Sequence, residues 1–252
     1  CACAGKHVLC EKPMALSVAD AERMTEECRR HDVKLGVDFM LRYHACHEML
    51  REMVERGDLG TLVFGRASFA FWYPPIDGAF RQNWQEGGGG AIVDVGNHMV
   101  DLLEVYFGRA RRVGCFQRNL IQGYETDDTA VMILEFESGA QGMVNVQFAV
   151  PSGACPNPLE VYGSNGSVIT SGTIGQEPTG SMRAIIGPDG DETVMDIRPT
   201  PVNMYRAHIE DFSARIRDGC EPRIPAEDGV WSVRVTTAAY ESARTGQIVT
   251  IR

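Results

Sequence analysis

The sequence predicts two folds in tandem: an α/β segment, then a larger α+β domain built on an open, mostly antiparallel sheet with helices on one face. Three observations predict it. A strand-length apolar run, an amphipathic helix and a second strand follow one another across residues 7–39, an order that requires a parallel sheet. From residue 111 the hydrophobic period changes to two, and strand-length segments succeed one another with turn signals between them. The helical period returns after residue 203, and strands grouped apart from helices read as α+β.

The elements follow in chain order. His7-Val8-Leu9-Cys10 is the first strand, and Ser17 is the N-cap of a helix with Asp20 at its third position and Ala21, Met24 and Cys28 on one stripe. Residues 33–39 alternate as a strand does. Two strands are not stable alone, so further strands are expected beside them. A helix over 44–56 ends at Gly57 as C-cap. Thr61 to Trp72 reads as a strand, Pro74-Pro75 breaks it, and a polar loop runs to Gly90. Ala91 to Phe107 reads as a helix with Met99, Leu102, Leu103 and Tyr106 inward and Gly108 closing it. Strands are expected at 111–121, 128–137, 140–150, 158–163, 167–171, 181–186 and 193–197, with Ser138-Gly139 and Asn165-Gly166 as turns. Helices are expected at 203–217, with Ile209, Phe212 and Ile216 on one stripe, and at 227–244.

The chain has 252 residues, with 24 Lys and Arg against 34 Asp and Glu, a net charge of −10. Such an excess of carboxylates repels phosphate backbones and argues against nucleic acid as a partner. No apolar run approaches the ~18 residues of a membrane span. With 44% hydrophobic and 23% charged residues, the composition is that of a globular protein with a large core. The 8 cysteines are scattered and form no C-x-x-C pair, so they read as reduced, small core side chains in a cytoplasmic protein.

Two stretches carry candidate chemistry. Glu11-Lys12-Pro13 follows the first strand, at the carboxyl end where parallel sheets place their ligands. Pro13 fixes its own φ and biases Lys12 toward an extended backbone, which gives the lysine a defined exit direction. The bland alternative is a surface lysine before a helix-breaking proline. The second stretch runs from Gly87-Gly88-Gly89-Gly90 through Asp94 to His98. Asp94 and His98 are four apart on a helix, with β-carbons about 6 Å from each other, a spacing that suits a proton relay with His as base and Asp as its partner. A solvated helix-face pair or a satisfied core histidine would leave the same pattern. A metal would lack a third ligand. The glycine run lacks the Lys-Ser/Thr of a P-loop and reads as a close-approach loop that brings a helix N-terminus near a ligand.

Taken together, Ala4 to Ala15 with its Glu11-Lys12-Pro13, Arg42-Tyr43 followed by Gly57-Asp58-Leu59-Gly60, the tract Gly88–Gly108 around Asp94-x-Gly96-x-His98, and Gly163-Ser164-Asn165-Gly166-Ser167 resemble the Gfo/Idh/MocA oxidoreductases in order and spacing over nearly the whole chain. The resemblance implies that residues 1–41 are the C-terminal remnant of a Rossmann NAD(P)-binding domain and that 42–252 form the substrate and oligomerisation domain. It implies hydride transfer between NAD or NADP and an alcohol or ketone carbon of a sugar, polyol or related compound. Carried over residue by residue, Lys12 would reach the reacting hydroxyl and the nicotinamide ribose, His98 would take the hydroxyl proton, and Asp94 would sit beside it. Glu11, Lys12 and Pro13 would line the nicotinamide side, with Arg42 and Trp84 as substrate contacts.

The family's cofactor site also has a Gly-rich turn near its first strand, and no G-x-G-x-x-G occurs here. With Cys rather than Met at position 1, the chain is expected to be the C-terminal part of a longer protein, and by itself to bind the cofactor poorly. A non-catalytic ligand sensor or interaction module on the same scaffold is the alternative, against which the retained Lys12 and His98 weigh; a metal-dependent hydrolase rests on Asp94 and His98 alone. Strand 140–150 carries Met143, Val144, Val146 and Phe148, so an apolar sheet face is expected to pair two or more copies into a dimer or tetramer.

Overall fold

The computed structural model describes residues 1–252. Near the start, strands β1 (Val8–Cys10) and β2 (Leu35–Val37) pair in parallel, Val8 opposite Leu35. Helix α1 (Val18–Arg30) crosses between them; Ser17 Oγ accepts from the Asp20 N–H at 3.1 Å, and Ala21 and Cys28 are its buried residues. The second strand is shorter than its alternation predicts because β1 offers only three partners. Helix α2 (Ala45–Arg56) ends on Gly57 in the left-handed region at φ 79°, where a side chain would be strained.

The remainder is a nine-stranded sheet formed by β3 (Leu62–Ala70), β4 (Ala110–Arg118), β5 (Thr129–Phe136), β6 (Gln141–Gln147), β7 (Leu159–Gly163), β8 (Gly166–Ser171), β9 (Ser181–Ile186), β10 (Thr193–Ile197) and β11 (Val249–Thr250). The order is β10-β9-β8-β7-β3-β6-β5-β4-β11, and only β3 and β6 run parallel. The expected strands are present with trimmed ends, and the Gly163–Gly166 hairpin joins β7 to β8. Strand β11 was missed: two residues are too few to show a period.

A four-residue helix α3 (Trp84–Gly87) lies in the long loop after β3. Residues Ile92–Gly96 then form a π-turn that leads into α4 (Asn97–Phe107). Helices α5 (Met204–Arg217) and α6 (Ala226–Thr245) complete the helical layer. The core lies between the sheet and this layer, where Leu102, Leu103, Met132, Leu134, Val144 and Val146 are fully enclosed. Gly65 lets the sheet approach α4, since a β-carbon there would stand 2.4 Å from the Phe107 ring.

Two expectations about faces are corrected. Val144, Val146 and Phe148 are buried beneath the helices and do not form the outer patch; Met143 alone of that set points outward, because side chains alternate along β6. The open face instead carries Phe116, 77% exposed, and Ile133, 61% exposed, with Val131 between them on β5. On α5, Ile209 faces solvent while Met204 and His208 are buried. The helix is turned so that His208 Nδ1 meets Asp38 at 2.7 Å and its ring stacks on Tyr43. No helix is long and apolar enough to cross a membrane.

Candidate active site

The carboxyl end of β1 delivers Lys12 into the interior. Its Nζ donates to the Asp94 backbone carbonyl at 2.6 Å and to Asp94 Oδ1 at 2.8 Å, and the two side chains are 11% and 13% exposed. Arg81, from the loop after β3, donates through Nε to the same carboxylate oxygen at 2.9 Å. Burial alone would raise the Asp94 carboxyl, but the two cations outweigh it and hold it below the usual carboxylate range. An ammonium has three donors; Asp94 takes two and leaves one for a ligand oxygen.

Asp94 sits in the π-turn, a rare backbone form frequent at functional sites. What fixes this turn is buried Asp127, whose carboxylate accepts from the Gly90 and Ile92 N–H groups, both at 2.9 Å, and from the Tyr240 hydroxyl. The helix N-terminus therefore faces the protein's own carboxylate, a correction to the expectation that a ligand sits there. The glycines serve that approach: a β-carbon at Gly90 would lie 2.0 Å from the Asp127 carbonyl oxygen.

His98 is 5% exposed, with the Phe39 ring edge-on to it. Its Nδ1 is buried and has no hydrogen-bond partner. Burial first, and the Lys12 cation second, push the imidazole far below its ordinary pKa, so it is neutral near pH 7. The expected direct Asp94–His98 relay differs from what is seen: the Asp94 carboxylate is taken by Lys12 and Arg81. A carboxylate already holding two cations is also a poor metal ligand.

Lys12, Asp94 and His98 open onto one cavity of about 580 Å³, lined also by Glu11, Asp38, Arg81, Gln176 and Tyr205. Glu11 is raised by burial and by the neighbouring Asp38 carboxylate. A neutral imidazole opening onto the cavity, beside a lysine with a spare donor, fits the nicotinamide end of a cofactor together with an alcohol. Pro13, joined to Lys12 by a cis peptide, is not among the residues lining the cavity.

Arg42 and Trp84 are corrected. Arg42 Nε donates to Asp101 at 2.9 Å and its Nη1 pairs with Asp228 at 2.8 Å, inside a buried ion network away from the cavity lining. Trp84 Nε1 donates to the Glu125 carbonyl, and its ring lies edge-on to Tyr240. Sequence reasoning missed Arg81, which lay in a loop without periodicity, and also the pair Asp38 and His208, joined across 170 positions.

Residues 47–169 match the GFO/IDH/MocA C-terminal domain, and residues 1–39 match the oxidoreductase family described as an NAD-binding Rossmann fold. A 1,5-anhydro-D-fructose reductase of Ensifer adhaerens is 30% identical over 98% of this chain and 73% of its own length. A myo-inositol 2-dehydrogenase of Thermotoga maritima is 28% identical over 96% of this chain and 72% of its own. Among solved structures, an aldose-aldose oxidoreductase from Caulobacter crescentus, complexed with glycerol, superposes with a TM-score of 0.88 at 28% identity, over 99% of this chain and 73% of that one.

Proposed function

The chain belongs to the Gfo/Idh/MocA family of NAD-binding oxidoreductases, and from that premise we propose that Lys12, Asp94 and His98 carry its hydride transfer. The reaction is that of an NAD(P)-dependent dehydrogenase on the alcohol or ketone carbon of a sugar, polyol or related compound. The observation that carries the assignment is the Lys12 ammonium held over Asp94 with a donor to spare, in one cavity with a neutral His98.

When bound, NAD or NADP supplies the hydride acceptor or donor. Glu11, Lys12 and Pro13 would hold its nicotinamide end, because they directly follow the carboxyl end of β1. In oxidation the free Lys12 N–H meets the substrate oxygen and stabilises the alkoxide as it forms. His98, neutral and open to the same cavity, takes the hydroxyl proton; in reduction it returns that proton to the carbonyl oxygen. Asp94 does not carry the proton. It fixes Lys12 through two hydrogen bonds, and Lys12 and Arg81 together keep Asp94 ionised.

The purified protein would be given NAD+ or NADP+ and a panel of sugars and polyols while reduced cofactor is followed by absorbance. Lys12→Ala and His98→Ala are expected to lose about 10²–10⁴-fold in kcat; turnover at the wild-type rate in either variant removes the assignment.

The domain division is placed at 41/42, between the β1–α1–β2 unit and the sheet domain. The open sheet face is the surface through which copies pair as a dimer or tetramer, because Phe116, Val131 and Ile133 form an apolar patch on it. All eight cysteines are free thiols, which suits a reducing compartment such as the cytoplasm.

A further inference from the structure

The cavity is not polar throughout. Phe69 near the end of β3 and Phe71 just past it both reach its wall, two residues apart along an extended segment. Their rings are 5.3 Å apart, and Phe71 leans on the buried Phe148 at 4.9 Å. Met40 and Leu41 line the cavity from the turn after β2, and Val95 from the π-turn; all three are buried. Four of these five side chains carry no polar atom and the Met40 thioether is only a weak acceptor, and core packing behind them leaves the wall little freedom to move away.

Eight of the lining side chains carry a polar group, Gln176 and Tyr205 among them, and some of these groups are already committed. Asp94 is held by Lys12 and Arg81, and Asp38 by His208. The residues that would hold the nicotinamide, Glu11 to Pro13, come from the segment just after β1, a different one from those that build the apolar wall.

Resting on the dehydrogenase reading above, we propose that Met40, Leu41, Phe69, Phe71 and Val95 select a ring alcohol whose far edge carries no hydroxyls, such as a cyclic vicinal diol or a deoxy or anhydro sugar, over a ring hydroxylated at every carbon. A hydroxyl pressed on this wall loses its water and gains no partner, which costs on the order of 10- to 100-fold in affinity for each group so placed. The hydroxyl that reacts and its immediate neighbour still meet Lys12, His98 and the Glu11–Asp38 end.

The test compares three rings that differ chiefly in hydroxylation: trans-cyclohexane-1,2-diol, 1,5-anhydro-D-glucitol and myo-inositol. Turnover is measured with NAD+ or NADP+, and binding of the same three alcohols is measured by calorimetry in the presence of NADH or NADPH. The expected order in kcat/KM and in affinity is diol, anhydroglucitol, inositol, with the first ahead of the last by about 100-fold or more. Phe69→Asn with Phe71→Asn is expected to shrink that ratio at least about tenfold, whereas Phe69→Leu with Phe71→Leu keeps it. Should the double Asn variant fail to fold, Leu41→Asn carries the same expectation. Inositol bound and oxidised as well as the diol, or a ratio unmoved by the folded Asn variant, overturns the proposal and leaves the dehydrogenase reading standing. Cofactor bound with no alcohol of the wider sugar and polyol panel turned over removes the dehydrogenase reading, and this proposal with it.

Discussion

Two clusters of cations and carboxylates lie in this molecule, and they differ in what they leave open. In one, Arg42 and Arg109 are shared among Asp101, Asp228 and Glu104; Trp231 and the Ala110 N–H also donate to Glu104. In the other, Lys12 and Arg81 share Asp94, and the cluster lines a cavity with an unpartnered His98 beside it. The first is closed: it ties the turn after β2 to α4, α6 and the start of β4. The second spends two donors of Lys12 on position and keeps the third. What separates the closed ion network from the one proposed to react is the residual capacity facing a cavity, not the residue types or their burial.

That contrast is broken most severely at His98. His98→Ala removes the proposed base and is expected to lower kcat by about 10²–10⁴-fold, with a small change in melting temperature, both read on one purified sample. Next comes Arg42→Ala, which leaves Asp101 buried without its cation and Asp228 with Arg109 alone. It is expected to cost roughly 3–5 kcal/mol in denaturant unfolding, while kcat of the protein that remains folded changes little. Arg81→Ala sharpens the second cluster. Without that cation Asp94 titrates higher, so the acidic limb of the kcat/KM profile moves to higher pH, with about 10-fold loss at neutral pH. A profile that keeps its limb in place would mean that Arg81 does not act through Asp94.

The smallest effect concerns stability alone. His47 is fully buried between the Leu41 carbonyl and Thr173 Oγ1, and burial lowers its pKa to about 3. Folded, it binds fewer protons than the unfolded chain between about pH 3 and its ordinary value of 6.5. The stability it lends is therefore full above 6.5 and is lost as pH falls below that value. His47→Asn is expected to flatten the dependence of the melting temperature on pH between 7 and 5, and an unchanged slope would assign the acid sensitivity elsewhere.

The sequence showed the fold through period. A helical stripe around Met99 and Leu102, the alternation of β4 to β10, and Ser17 and Gly57 at helix ends are local signals, and each appears in the structure where it was expected. Lys12, Asp94 and His98 were legible because two compact motifs hold them. Which arginine enters the cleft was not. Arg42 stands in a recognisable segment and is a network member, whereas Arg81 sits in a loop that only the tertiary fold brings against Asp94. The glycine run was read correctly as a close approach but assigned to the wrong partner. Asp127, some 37 positions from Gly90, carries no sequence signal that it would cap that turn. The apolar wall was hidden for a related reason: Phe69 and Phe71 look like ordinary strand residues until the cavity shows what they face.

The central claim, that one ionic cluster reacts and the other holds the fold, is tested most directly by Lys12→Met and Arg42→Met measured side by side for kcat/KM and for unfolding free energy. The expected result is a crossed pattern: Lys12→Met loses at least about 10²-fold in kcat/KM and within about 1 kcal/mol of stability, and Arg42→Met loses several kcal/mol of stability with near-normal turnover. Lys12→Met turning over substrate within tenfold of wild type would contradict it.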